Sequence, residues 1–244
     1  MDTLRARRKL VSVVLSVFIL LANLVSGAHA NEPGKTSKLN PEADCYVQLE
    51  LVELVTYRDN EVSVRVKGHM DASGTPASFL LQVDPTKKTY KTIKIKTPNL
   101  ELGTPSDAVT AASTKSRTVR ITTLDPAYIA LCKTWLTLTW TYNGTSVASS
   151  SRLKGAWDAC PSPLGTDWCL IYNNYGTFYK GQTCHYTSTH AKHENWDFGF
   201  NDKGTWAYHN IWIYGYADGS FDWDISFQHT GEGAWLLMAI YDIY

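Results

Sequence analysis

The stretch "NWDFGFNDKGTW", Asn195 to Trp206, sets Asn201, Asp202 and Thr205 within five residues, flanked by aromatics. A hard cation such as calcium takes roughly six to eight oxygens, and a turn offering a carboxylate, a hydroxyl and free backbone carbonyls supplies several at once. The same residue types also build an Asx-type turn, in which the short side chain hydrogen bonds its own backbone. A purely structural turn is therefore the competing account of Asn201 and Asp202.

Two further groups carry chemistry by residue type. "HYTSTHAKHENW" holds His185, His190, His193 and Glu194, enough imidazole and carboxylate for zinc. Its spacing matches neither His-Glu-x-x-His nor the inverted form, both of which use a helix, and no helical apolar stripe is present, so a solvated, charged loop is expected. "YADGSFDWDISF" holds Asp218, Asp222 and Asp224 but lacks the glycine and glutamate of an EF-hand loop. On a strand, Asp222 and Asp224 would share one face, with Phe221, Trp223 and Ile225 on the other. Paired carboxylates can divide acid and base work across a sugar, yet an amphipathic strand explains the alternation without catalysis. Trp196, Trp206, Trp212, Trp223 and Trp235 either fill a core or line a binding face. There is no Gly-x-Ser-x-Gly, phosphate loop or dinucleotide fingerprint, and the expectation is a non-enzyme. A metal-dependent hydrolase using the histidine or aspartate clusters is the enzymatic alternative.

The elements that must position these residues read as strands. "CYVQLELVEL", "EVSVRVKGHM", "TYKTIKIKT", "RTVRITTL" and "KTWLTLTWTY" alternate apolar and polar residues, the period of half-buried strands. Asn143-Gly144 between two such runs predicts a two-residue hairpin turn; with Thr145 it also forms a glycosylation sequon. About seven strands over roughly 110 residues fit an immunoglobulin-like sandwich.

The 244 residues balance 23 basic against 23 acidic side chains, which offers no charge stripe for nucleic acid. Arg5, Arg7, Arg8 and Lys9 precede an apolar run ending near Leu24, and "AHA" follows at 28–30, so residues 1–30 read as an export signal. The run is shorter than the roughly 20 residues a bilayer span needs. A secreted protein with no membrane attachment after cleavage is expected. The polar residues 31–44 form a flexible leader. Cysteines 45, 132, 160, 169 and 184 all follow the cleavage site, where disulfides are favoured. Cys45 with Cys132, and two of the remaining three, is the expected pairing.

A composition change around Ala156 to Pro163 predicts a boundary between a sandwich at 45–155 and a second domain at 160–244. Within the latter, "WCLIYNNYGTFY" and "IWIYGYADGSF" align with Tyr172 on Tyr214, an offset of 42 residues, suggesting one Greek-key unit used twice. The Cys160-Pro161 opening, Cys169 before an apolar-Tyr strand end, Cys184 and "FGFNDK" together resemble the βγ-crystallin-like domains of bacterial secreted proteins grouped with a metalloproteinase inhibitor family. The resemblance covers about 85 residues, the C-terminal third. It implies a βγ-crystallin-like double Greek-key domain there; together with the alternating runs before it, the expectation is an all-β chain, an immunoglobulin-like sandwich followed by that domain. It also maps a calcium signature onto Asn201, Asp202, Lys203, Gly204 and Thr205, departing at Trp206, with Asp218 in the partner turn completing the site. No cofactor is required on this reading, calcium being the one candidate. The implied function is a secreted peptidase inhibitor acting on an extracellular protease. The alternative is an envelope or matrix module that holds a surface polymer, with carbohydrate as a ligand.

Overall fold

The structure is a computed structural model that describes residues 47–56, 61–72, 74, 77–84, 89–95, 112–161, 167–198 and 204–244. These all fall in the compact unit Asn31–Tyr244. The export signal, the leader, Cys45, Asn201 and Asp202 lie outside the described residues.

Among the described residues twelve strands form, almost wherever the sequence alternates: β1 (Val47–Thr56), β2 (Glu61–Met70), β3 (Ala77–Asp84), β4 (Thr89–Ile95), β5 (Ser113–Leu124), β6 (Ala130–Tyr142), β7 (Val147–Asp158), β8 (Cys169–Lys180), β9 (Cys184–Asn195), β10 (Thr205–Tyr216), β11 (Phe221–Gly231) and β12 (Met238–Ile243). The expected loop around the histidines is instead β9. There His185 and His193 turn inward while His190 and Glu194 turn outward, as a period of two requires. Among the described residues no helix is long and apolar enough to cross a membrane.

The strands make two six-stranded antiparallel sheets, ordered β1-β2-β11-β10-β9-β8 and β4-β3-β12-β5-β6-β7. This corrects the expected division into a sandwich at 45–155 and a separate domain at 160–244. Val66 of β2 pairs with Ile225 of β11, and Tyr241 of β12 sits between Phe79 of β3 and Ile121 of β5. Strands from both ends of the chain thus share each sheet. The composition change at 156–163 marks the passage of the chain from the edge strand β7 of one sheet to the edge strand β8 of the other. The two aligned segments also take unlike places. Strand β8 is an edge bonded to β9 alone, whereas β10 is interior between β9 and β11. Tyr172 and Tyr214 are therefore non-equivalent, and β8 to β11 run as a consecutive meander. The first segment lies within the single strand β8, whereas the second crosses the turn from β10 into β11, so the similar letters do not make two similar hairpins.

The main core lies between the sheets and holds Val64, Val66, Ile121, Leu136, Leu138, Ile211, Ile213, Trp223 and Ile225, all at most 3% exposed. Gly215 makes room for the Trp140 indole, since a Cβ there would stand 2.6 Å from the ring. The Trp140 Nε1–H donates to the Tyr216 carbonyl at 3.0 Å, so burying the indole leaves no orphaned donor.

The Asn143 turn differs in detail from the expected two-residue hairpin. Only Gly144 has positive φ, at 88°, and Asn143 to Ser146 form the connection. The Asn143 carboxamide oxygen accepts from the Thr145 and Ser146 backbone N–H groups at 3.1 and 2.8 Å, so a side chain closes the turn. One disulfide joins Cys160 to Cys169. Cys132 is an unbonded, buried thiol, which corrects its expected pairing with Cys45. Cys184 is also unbonded.

Candidate functional site

Parity along β9, β10, β11 and β2 sends one residue in two to the outer face of the first sheet. On β10 these are Trp206, Tyr208, Asn210, Trp212, Tyr214 and Tyr216, all partly exposed. Cross-strand register joins Tyr214 to Tyr186 and Tyr186 to Tyr179. Ring centroids 5.3 and 5.2 Å apart make them a tyrosine ladder across three strands. Such pairs gain from offset stacking and keep a hydroxyl edge toward water.

The ladder runs into an open groove of about 360 Å³ lined by Lys67, His69, Tyr214, Tyr216, Asp222 and Asp224. As the alternation predicts, Asp222 and Asp224 both face outward while Phe221, Trp223 and Ile225 enter the core. Arg65 clamps Asp224: Nε donates to Oδ1 at 3.0 Å and Nη2 to Oδ2 at 2.6 Å. The bidentate fork suits a carboxylate only 3% exposed, because burying it requires a fixed, charge-assisted partner. His69 Nδ1 lies 2.5 Å from Asp222 Oδ1, and the Tyr216 hydroxyl donates to Asp222 Oδ2 at 2.8 Å. Burial opposes charge on His69, but hydrogen bonds to Asp222 and Asp71 prevail and raise its pKa. Burial and then the Asp222 contact drive the Tyr216 phenol up, so it stays a neutral donor. Each carboxylate has both oxygens engaged, so neither is poised as a free acid, base or nucleophile.

Cys184 is the cross-strand partner of Tyr216. Burial and then the charge of Asp222 lift its thiol pKa to about 11, so it is protonated and weakly nucleophilic at neutral pH. Beyond the groove, Arg65 lies 6.0 Å from the Trp212 ring centre, and Lys192 stands over Trp206 and Tyr208.

Of the residues expected to hold calcium, only Thr205 and Asp218 are among those described, and these two stand apart. Thr205 opens β10 and Asp218 follows its far end, a strand of 12 residues away, which at ~3.3 Å per residue is about 40 Å. Thr205 is fully buried, and its hydroxyl bonds to the carbonyls of Phe198 and Glu232. Asp218 Oδ1 accepts from the Ser220 backbone N–H and hydroxyl at 2.8 and 2.6 Å, an Asx turn closing β10 onto β11. Burial pushes the Asp218 carboxyl up, but the Ser220 hydrogen bonds win and hold it below the usual range. The tryptophans divide: Trp223 is core, Trp206 and Trp212 belong to the outer face, and Trp196 and Trp235 are exposed.

Sequence reasoning found Asp222 and Asp224 but missed Arg65 and His69, which lie 159 and 153 positions away. Their only trace is the outward parity of "EVSVRVKGHM". Comparison with protein-family models, with curated proteins and with solved structures finds no match to this chain.

Proposed function

We propose that the protein is a secreted, non-enzymatic binding module whose outer sheet face takes a carbohydrate chain. The observation that carries this reading is the tyrosine ladder Tyr179–Tyr186–Tyr214 leading into a groove floored by paired charges. Sugar rings present apolar C–H faces and a rim of hydroxyls. Tyrosine faces match the first, while the Lys67 ammonium and the remaining lone pairs of Asp222 offer donors and acceptors to the second. The groove balances positive against negative groups, which suits an uncharged polymer better than a phosphate-rich one. Calorimetric titration with soluble cell-wall and storage polysaccharides tests it. Binding that drops at least about tenfold in Tyr186→Ala supports the reading; absence of binding to every neutral glycan tried removes it.

The peptidase-inhibitor reading keeps one specific support. The Cys160–Cys169 disulfide ties together residues nine apart in sequence, and such a covalent pin lowers the ordering entropy of docking in a protease cleft. Inhibition of an extracellular protease that survives Tyr186→Ala and disappears in Cys160→Ser would favour it over the glycan reading.

A further inference from the structure

The space between the sheets changes character at one end. On β10 the inward residues run Ile213, Ile211, His209, Ala207. Ala207 pairs with His193 on one side and His229 on the other, so a small residue sits between two imidazoles in one row. From the facing sheet come Thr134 and the cross-strand pair Thr123 and Cys132. His193, His209, Cys132, Thr123 and Thr134 are 0% exposed and His229 is 1%.

Threonine hydroxyls hold the rings. Thr134 Oγ1 is 3.0 Å from His193 Nε2 and 3.1 Å from His209 Nδ1, while Thr123 Oγ1 is 2.8 Å from His209 Nε2 and 3.1 Å from His229 Nε2. Among the described residues the Nδ1 atoms of His193 and His229 have no partner. Trp168 and Trp223 also bury an unpartnered indole nitrogen, but an indole N–H has no lone pair to give, whereas a neutral imidazole does. Candidate ligand atoms of Cys132, His193 and His209 lie within 4.8 Å of one another. Leaving imidazole nitrogens dry and unbonded is costly unless something occupies the lone pair.

We propose that Cys132, His193 and His209 bind a single closed-shell d-block ion, Cu(I) or Zn(II), between the two sheets. One thiolate and two imidazoles form a soft-to-borderline donor set, and among the described residues no carboxylate joins the cluster, so calcium and magnesium do not fit it. Binding replaces the S–H bond of Cys132 with a metal–sulfur bond and releases that proton to solvent; no electron moves. The Cys132 thiolate cancels the whole charge of Cu(I) but half that of Zn(II), which favours Cu(I) in so dry a site. If the ion takes one ring nitrogen of His209, the other stays anchored to the threonine on that side. Thr123 and Thr134 thereby act as positioning residues, orienting ligands from behind. Burial keeps all three imidazoles neutral, with His193 at about 4 and His229 at about 3, so each keeps one unprotonated ring nitrogen at neutral pH. This site is independent of the outer-face reading.

The test uses the full chain with its disulfide intact, produced in medium supplemented in parallel with copper, zinc or cobalt, since a sealed site loads as it folds. Metal content after dialysis against chelator should be one ion per chain from the copper or the zinc arm. X-ray absorption on that sample should show one sulfur and imidazole nitrogens, and the cobalt form should show thiolate-to-metal charge-transfer absorption. Cys132→Ser should lower retained metal at least about tenfold and abolish that absorption, Cys184→Ser should change neither, and Thr134→Val should weaken retention by about 10–100-fold. Wild-type protein that retains no copper or zinc, an ion without a sulfur donor, or equal retention in a folded Cys132→Ser protein would each overturn the proposal. The wild-type absorption measurement decides the matter even if Cys132→Ser does not fold.

Discussion

The two faces of the β2-β11-β10-β9 sheet use the same strands and nearly the same residue types for opposite ends. His209 and Asn210 are neighbours in sequence. The first is buried among threonines, whereas the Asn210 carboxamide oxygen meets His190 Nδ1 at 2.9 Å on the outer face. Outside, charges are paired and partly hydrated, as in His69 with Asp222 and Arg65 with Asp224. Inside, imidazoles are neutral and share hydroxyl hydrogen bonds. One residue step therefore decides whether a side chain meets water or lies dry between the sheets, because water is present on one side only.

Acid should separate the faces most strongly. The folded-state pKa values of His193, His209 and His229 lie below the usual histidine value, so between pH 6.5 and about 4 the unfolded chain binds more protons. Their stabilising contribution is complete above about 6.5 and is lost as pH falls toward those depressed values, at up to ~1.4 kcal/mol per pH unit for each imidazole. His69 runs the other way: its raised pKa stabilises the fold below the usual histidine value and loses effect as pH rises through the folded one. Tm measured from pH 7.5 to 5 should fall steeply. A shallower slope in His229→Gln, and a steeper one in His69→Gln, would assign the opposing contributions; a flat profile would break the contrast. If an ion occupies the cluster, the loaded protein should hold its Tm to lower pH than the metal-free one.

Adjacent positions on β10 offer the next test. Ile211→Ala should cost about 2–5 kcal/mol in denaturant unfolding, since the fully buried site leaves a cavity. Trp212→Ala, on the outer face beside Arg65 and His190, should cost ~1 kcal/mol or less while impairing glycan binding. Equal losses of stability would mean that the outer face is also structural. Asp224→Asn comes third, at about 1–2 kcal/mol: the bidentate clamp is lost, but Arg65 keeps access to water. Tyr186→Ala should be the mildest for stability, within ~1 kcal/mol, because its stacking partners remain hydrated.

Much of the local structure was legible before any fold was known. "EVSVRVKGHM" is β2 from its first residue to its last, and the opposed faces of Asp222/Asp224 and Phe221/Trp223/Ile225 follow from period two. "HYTSTHAKHENW" misled because its inward positions carry His and Thr, which hydropathy reads as solvent-facing. Polar side chains can occupy a core position when hydroxyls from the facing sheet bond them, and those hydroxyls come from Thr134 for His193 and Ser150 for His185, both outside the segment. The 42-residue likeness around Tyr172 and Tyr214 did not mark a repeated hairpin: the first copy runs within the single strand β8, whereas the second turns from β10 into β11.

Sequence alone thus determined an all-β chain, most of its strands and the face to which each residue in them turns, since side-chain alternation is a property of the strand itself. Tertiary structure alone decided that β2 pairs with β11 and that β12 enters the other sheet between β3 and β5. Those pairings bring Arg65 to Asp224, while the packing of one sheet on the other brings Cys132 to His193 and His209. The reason is that backbone pairing between distant strands is chosen by how well whole faces fit across the sheets, a global condition that no local window of residues contains.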